Sequence, residues 1–325
     1  MAKQTAPAKA NAVDSLYRTG FEKFLIDFGK NWQLHLMIFL PFIYMCIFHY
    51  WPMTGLQIAF RNFSPRAAIW NSEWLGLGNF IDFFTRNYRA LDLILNTLVL
   101  SLYTIVVGFP IPIILALVIH VNTIKPLKKV AQNISYIPHF ISVVILIGIL
   151  RSVLDPYSGI LGSISRHFSL DYFPDLWADE KAFRHLYVWS GVWQSMGWSS
   201  IIYVSALAAV PDDLHEAAKL DGASRLRRVW SVDLPTILPT IAIMLIMRFG
   251  SIMSVGYQKA YLMQNSANTR TSEIISTYVY KQGLQGMKFG YSAAVGLMNS
   301  VVNTSMVVLV NWVTNRLTDN EMGLF

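Results

Sequence analysis

The stretch Pro211-Asp-Asp-Leu-His-Glu-Ala-Ala-Lys-Leu-Asp-Gly-Ala-Ser-Arg-Leu-Arg-Arg-Val-Trp-Ser-Val-Asp-Leu-Pro235 decides how the chain is read. Asp213, followed three residues later by Glu216, has the spacing of a capping box with Asp in place of Ser or Thr. Ala217, Ala218 and Leu220 are good helix formers, and Gly222 suits a left-handed C-cap. A second short helix, from Ser224 to about Val232, would carry Arg225, Arg227 and Arg228, and Pro235 would open the segment that follows. The stretch thus predicts two short helices joined by a sharp turn. It is too structured to be a plain linker.

On both sides of this block the chain becomes apolar. Residues 186–210 precede it and 235–257 follow it, and 34–51, 94–119, 130–150 and 291–313 are also long enough to cross a bilayer. These six spans total 136 residues and contain one of the 45 charged residues, Arg248. The other 189 residues are about 23% charged, the density of a soluble surface. The whole-chain averages, 54% apolar, 14% charged and a mean hydropathy of +0.41, therefore mix two materials. They disfavour a soluble enzyme, a disordered chain and a collagen-like repeat. The spans are continuous runs rather than alternating ten-residue segments, so the expected fold is an all-α integral membrane bundle of six transmembrane helices.

Six spans place both termini on one side. The shortest loop carries Lys125, Lys128 and Lys129 with no acidic residue, which puts it and both termini in the cytoplasm. The coupling block 211–235 is then cytoplasmic too. Residues 1–33 read as a cytoplasmic segment: its first twelve residues are rich in Ala, Lys and Pro, and no removable signal peptide is expected. From Val13 onward apolar residues recur at helical spacing, predicting an amphipathic helix on the membrane surface. Residues 34–325 are expected to form the six-helix transmembrane domain. The net charge of +7 occurs without a nucleic-acid signature, so the expected contact is anionic lipid. Cys46 is the only cysteine, which excludes an intrachain disulfide.

The pattern Glu216-Ala217-Ala218, Gly222 and Leu234-Pro235, with Asp221 beside the glycine, resembles the EAA loop of membrane subunits of ATP-binding-cassette (ABC) importers. Gly222 stands 103 residues before the C-terminus, a position that also fits. Leu40-Pro41-Phe-Ile-Tyr, Tyr50-Trp-Pro-Met-Thr-Gly55, Trp74-Leu-Gly-Leu-Gly-Asn-Phe80, Pro138-His-Phe-Ile-Ser142 and Ile275-Ser-Thr-Tyr-Val-Tyr280 resemble the branch importing oligosaccharides and polysaccharides. The resemblance implies a type I importer permease fold. It also implies a second homologous permease, two ATP-binding subunits and an extracytoplasmic solute-binding protein as partners. The loop would be the coupling helix docked on an ATPase subunit, with Glu216 either pairing there or capping its own helix.

No G-x-x-x-x-G-K-[ST] sequence occurs, so the chain is not expected to be an enzyme. The resemblance places ATP and Mg on the partner subunits. No catalytic residues and no metal ligands are expected, and the seven histidines are dispersed along the sequence. Polar residues within spans mark the candidate path. Ser292, Gly296, Asn299 and Asn303 share one helical face, as do Ser190, Gln194 and Gly197. Each of these can line a pathway or hold helices together. Trp189 and Trp193 can stack on sugar rings or anchor at the membrane interface. Arg248 costs roughly 2.5–3.5 kcal/mol within a bilayer, so it needs structural pairing or an anionic cargo such as an alginate-type acidic sugar. The expected function is the permease of a bacterial ABC importer for oligosaccharides, acidic or neutral. A permease for another solute, or a stand-alone secondary transporter or channel, is the alternative. No carboxylate lies inside the spans to couple an ion.

Overall fold

The computed structural model describes residues 28–66, 68–168 and 174–317. Most of the amphipathic helix expected from Val13 onward lies on residues 1–27, outside the described residues, as does the chain end from 318. Among the described residues the regular structure is helical, with one isolated antiparallel bridge between Arg61 and Trp74. The chain divides into two compact units, 1–57 and 58–325.

The first unit contains α1 (Trp32–Met45), continued by a π turn at Cys46–Tyr50 and the helical turn Trp51–Met53. None of these residues is buried. A helix that is apolar all round and has no buried face belongs against lipid or a partner.

The second unit comprises α2 (Gly78–Thr85), α3 (Ala90–Gly108), α4 (Pro110–Val121), α5 (Lys125–Tyr136), α6 (Val143–Leu154), α7 (Ile160–His167) and α8 (Glu180–Ala208). It continues with α9 (Asp212–Leu220), α10 (Arg225–Arg228), α11 (Leu234–Phe249), α12 (Tyr257–Met263), α13 (Thr269–Ser272), α14 (Ile275–Tyr280) and α15 (Phe289–Leu317). Its core lies in three places. Leu100, Ile147, Phe183, Val192 and Met263 join α3, α6, α8 and α12. Phe83, Leu93, Ile275 and Val295 join α2, α3, α14 and α15. Ile113, Tyr203, Leu207 and Ile237 join α4, α8 and α11. Full burial of one such side chain stabilises by about 1.5–3 kcal/mol.

Four helical stretches, Trp32–Phe60, Ala90–Val121, Arg225–Phe249 and Phe289–Arg316, are long and apolar enough to cross a membrane. Lys125–Phe140 with Val143–Leu154 adds a fifth if the bent pair is one span. The crossing expected at 186–210 is not among them. Its helix, α8, has 29 residues, enough for about 44 Å. Glu180, Lys181 and Arg184 lie before the expected crossing, and within it a series of Ser, Gly, Gln, Trp and Tyr dilutes the apolar content. Polar composition is tolerated there because α8 packs centrally, burying Val188, Val192, Ser200, Tyr203 and Leu207.

The expected span 130–150 is broken rather than straight. α5 and a 3-10 turn (Ile137–Phe140) meet α6 with a bend of 100°. Pro138 lies in the turn and lacks a backbone donor, and Ser142 starts α6 by accepting from the Ile145 N–H at 3.3 Å. α8 covers the break. A Cβ on Gly197 would lie 1.9 Å from the Ser135 carbonyl oxygen, so only glycine permits this crossing.

The expected span 235–257 also differs. α11 ends at Phe249, and helix resumes only at Tyr257. Gly250, Ser251, Ser254 and Gly256 favour unwinding of the segment between them. The second short helix of the loop is likewise not separate. α10 passes through a π turn (Val229–Asp233) directly into α11. Leu234, which precedes Pro235, donates to the Val229 carbonyl five residues back. Trp51, which precedes Pro52, does the same to Cys46. In each case the wider turn makes room for a proline ring that clashes with the carbonyl four residues before it.

Candidate functional site

The loop 211–235 projects from one end of the bundle as α9, a turn and α10. α9 begins at Asp212, two residues earlier than the capping-box spacing predicts, and Pro211 as N-cap makes no side-chain cap bond. Asp212 and Asp213 lie in the first turn, where the positive end of the helix dipole favours them. At the other end Gly222 has φ +76°. The Ala223 N–H donates to the Ala218 carbonyl at 2.9 Å and the Gly222 N–H to that of Lys219 at 3.0 Å, which together form a Schellman cap. Ser224 caps α10 by accepting from the Arg227 N–H.

The loop presents an outward face. Glu216, Ala217, Asp221 and Gly222 are exposed, Ala218 is half-buried, and Leu220, Leu226 and Trp230 are 90%, 73% and 70% exposed. Pro235 is also exposed. An exposed run of large apolar side chains beside three arginines is a surface suited to a partner. The inward face turns His215 toward Asp233, with 3.1 Å between Nε2 and Oδ1.

The second feature is the unwound segment after α11. Asn303 accepts from the Met253 N–H through Oδ1 at 2.8 Å and donates through Nδ2 to Ser254 Oγ at 2.8 Å. Asn299 donates to the Met253 carbonyl at 3.1 Å, and Ser101 Oγ donates to the Ile252 carbonyl. Irregular backbone at membrane depth requires such partners. Asn299 and Asn303 therefore act on the backbone behind a cavity of about 200 Å³. Ser101, Thr104, Tyr187, Arg248, Ser251 and Gly256 are among its lining residues, and no carboxylate is. Among the described residues the Arg248 guanidinium has no hydrogen bond or ion pair. Its structural pairing, one of two readings open from sequence, is not found there.

Gln194 donates to the Ile141 carbonyl at 2.7 Å and so satisfies the break between α5 and α6. Trp189 and Trp193 line an apolar groove of about 400 Å³ with Leu146, Ile149, Leu150 and Leu186. Trp189 Nε1 donates to the Tyr103 hydroxyl at 3.1 Å. The two tryptophans are thus together, apart from the lining of the Arg248 cavity.

Sequence reading missed Lys259, placed in a loop because it is charged. It is 8% exposed, donates to the Tyr187 carbonyl at 2.7 Å and lies 4.8 Å from the Tyr187 ring. Tyr187 faces the Arg248 cavity, so a buried lysine whose pKa desolvation pushes down to about 7 stands behind its wall. Sequence reading also missed a polar cleft of about 540 Å³ near the start of α3, bounded by Asp82, Arg86, Arg89, Glu273, Lys288 and Tyr291. Glu273 there is held by Arg89 and Lys281. α3 and α4 form a continuous stretch of 32 residues, about 48 Å long, which sets this cleft and the loop 211–235 at opposite ends.

An apolar helical bundle with a structured loop at one end and a broken helix beside a polar cavity defines a membrane transport subunit. Residues 88–319 match the model of the binding-protein-dependent transport system inner membrane component, and the chain belongs to this family. It is a permease subunit of the ABC importer class and a multi-pass inner-membrane transport component. It is 38% identical over 324 residues to the polygalacturonan/rhamnogalacturonan transport system permease protein YteP of Bacillus subtilis (strain 168), covering 99% of this chain and 100% of YteP. Protein LplB of the same organism is 36% identical, covering 99% of this chain and 100% of LplB. The fold is similar to a chain of a bacterial ABC transporter involved in the import of the acidic polysaccharide alginate, with TM-score 0.83 and 35% identity, covering 91% of this chain and 99% of that one. A second alginate transporter structure, in complex with an alginate pentasaccharide-bound periplasmic protein, matches with TM-score 0.83 and 34% identity, covering 92% and 98%.

Proposed function

We propose that this chain is the permease of a bacterial ABC importer for oligosaccharides or polysaccharide fragments bearing carboxylates. The observation that carries the choice of an acidic cargo is Arg248, whose guanidinium has no hydrogen bond or ion pair among the described residues and faces a cavity with no carboxylate in its lining. The names of the similar proteins, for polygalacturonan/rhamnogalacturonan and for alginate, support the same class.

In this reading an extracytoplasmic binding protein delivers cargo at the polar cleft, and the cytoplasmic loop docks on an ATPase subunit. ATP would be hydrolysed there, in one of two such subunits, while this chain pairs with a second permease. The six crossings include α8, and both termini are cytoplasmic. Closure of the ATPase pair pushes α9, and the junction α10–π turn–α11 carries the push into the fifth crossing as a rigid-body movement. The unwound segment 250–256 absorbs it beside the cargo.

Uptake by the reconstituted complex tests the cargo. Arg248→Gln should cut uptake of an oligogalacturonate at least tenfold and spare cargo-independent ATP hydrolysis. Equal uptake of the acidic oligomer and its neutral counterpart, unchanged in Arg248→Gln, would sink the assignment.

A further inference from the structure

The inward face of the coupling loop holds a group of side chains that the transport reading does not use. His120 ends α4, His215 lies on α9, and Asp233 lies in the π turn at the root of α11. Their ligand atoms all lie within 4.8 Å of one another. His215 Nε2 is 3.1 Å and His120 Nε2 is 3.6 Å from Asp233 Oδ1. The Asp233 side chain is 2% exposed, that of His215 16% and that of His120 24%.

These separations do not describe a hydrogen-bonded triad. Asp233 Oδ1 and His215 Nε2 are both shut off from solvent, and neither makes a hydrogen bond of acceptable geometry. A buried carboxylate oxygen left unpaired is costly, and two imidazoles turned toward it without aligned donors do not offset that cost. The two separations from Asp233 Oδ1 suit ligation, and the third, between the imidazoles, is within 4.8 Å. Atoms about 2.0–2.1 Å from a tetrahedral zinc ion lie about 3.3–3.4 Å apart, between the two values observed here.

We propose that His120, His215 and Asp233 form a binding site for a divalent transition metal ion of the zinc class. Two imidazole nitrogens and one carboxylate oxygen select zinc, cobalt or nickel over magnesium and calcium, which require oxygen ligands. Three protein ligands leave a fourth position for water, the arrangement of an open zinc site. Asp233 and Asp212 are the anionic neighbours of His120, and Lys128 is the cationic one.

The ligands come from three elements that are remote in sequence. A bound ion would tie α9 to the end of α4 and to the root of α11, restricting the movement of α9 against the bundle. That consequence rests on α9 being the coupling helix, whereas the metal site itself does not.

The test uses the assembled complex with its partner subunits, free of any polyhistidine tag, stripped with chelator and dialysed against Zn²⁺ or Co²⁺ alone. The wild type should retain one more ion per copy of this chain than the His120→Gln or His215→Gln complex. Loss of either imidazole should weaken binding by at least the about 10–100-fold that outer-shell changes produce. Co²⁺ should give a ligand-field absorption band in the wild type that each variant loses. Equal metal content in wild type and variants, or no Co²⁺ band in the wild type, overturns the site. If one variant fails to assemble, the other and the wild-type spectrum still decide. Zn²⁺ should also change the ATP hydrolysed per cargo moved in the wild type. Binding without that change overturns control of coupling and leaves the site standing.

Discussion

Gly222 holds α9 and α10 at their angle because its φ of +76° is open to glycine and costly for other residues. Nothing lies within 4 Å of a Cβ built there, so the cost of a side chain comes from the backbone alone. Gly222→Asp should weaken the turn by about 1–2 kcal/mol, seen as faster hydrogen exchange at the Gly222 and Ala223 amides. Glu216 is exposed and free to meet a basic group, and Glu216→Lys reverses that charge without disturbing the bundle. Both variants should hydrolyse ATP with less cargo moved per ATP. Full transport by both would remove the coupling role of this loop. The capping-box spacing misplaced the start of α9 by two residues, because Asp212 and Asp213 can both enter the first turn and local spacing does not rank them.

At the scale of elements, the two departures from straight helices have opposite legibility. Pro138 and Ser142 carry the break between α5 and α6 in their own chemistry, yet a hydropathy reading passes over them because both flanks are apolar. The unwinding after Phe249 depends on α15. Without Asn303 and Asn299 the Met253 backbone would have nowhere to place its polar groups. Asn303→Ala removes the partner of the Met253 N–H and of Ser254, and should cost about 1–3 kcal/mol. Asn299→Ala should cost less, because Asn299 makes one of these bonds and its Oδ1 is buried without a partner. Thermal unfolding of the purified complex gives the order, with the lower Tm expected for Asn303→Ala. The polar stripe on α15 was visible from its spacing, but the backbone it serves was not.

For the whole molecule, the large exposed apolar surface is the dominant physical fact. Met37, Ile38, Val106, Val118 and Ile134 are all more than 60% exposed. Such side chains are at home in hydrocarbon, whereas the polar cleft and the loop 211–235 stand at opposite ends of the α3–α4 stretch. No carboxylate lies within the six expected spans to couple an ion gradient, so the energy for transport is expected from outside the chain. Liposomes holding this chain alone should accumulate no cargo, and adding the second permease, the ATPase subunits, the binding protein and ATP should start uptake. Accumulation by the chain alone, without ATP, would establish a secondary transporter instead.

The sequence by itself determined the membrane class, the approximate positions of four apolar spans and the helical block 211–235. Charge exclusion, helix capping and proline placement act within a few residues, so they can be read in order along the chain. The tertiary structure alone decided that a polar helix, α8, sits at the centre of the bundle, that Lys259 is buried and that Arg248 faces a cavity. It also decided that His120, His215 and Asp233 converge. Each of these depends on which remote element supplies the missing partner. Burial and ligation are properties of neighbours in space, and hydropathy measured along one segment contains no information about them.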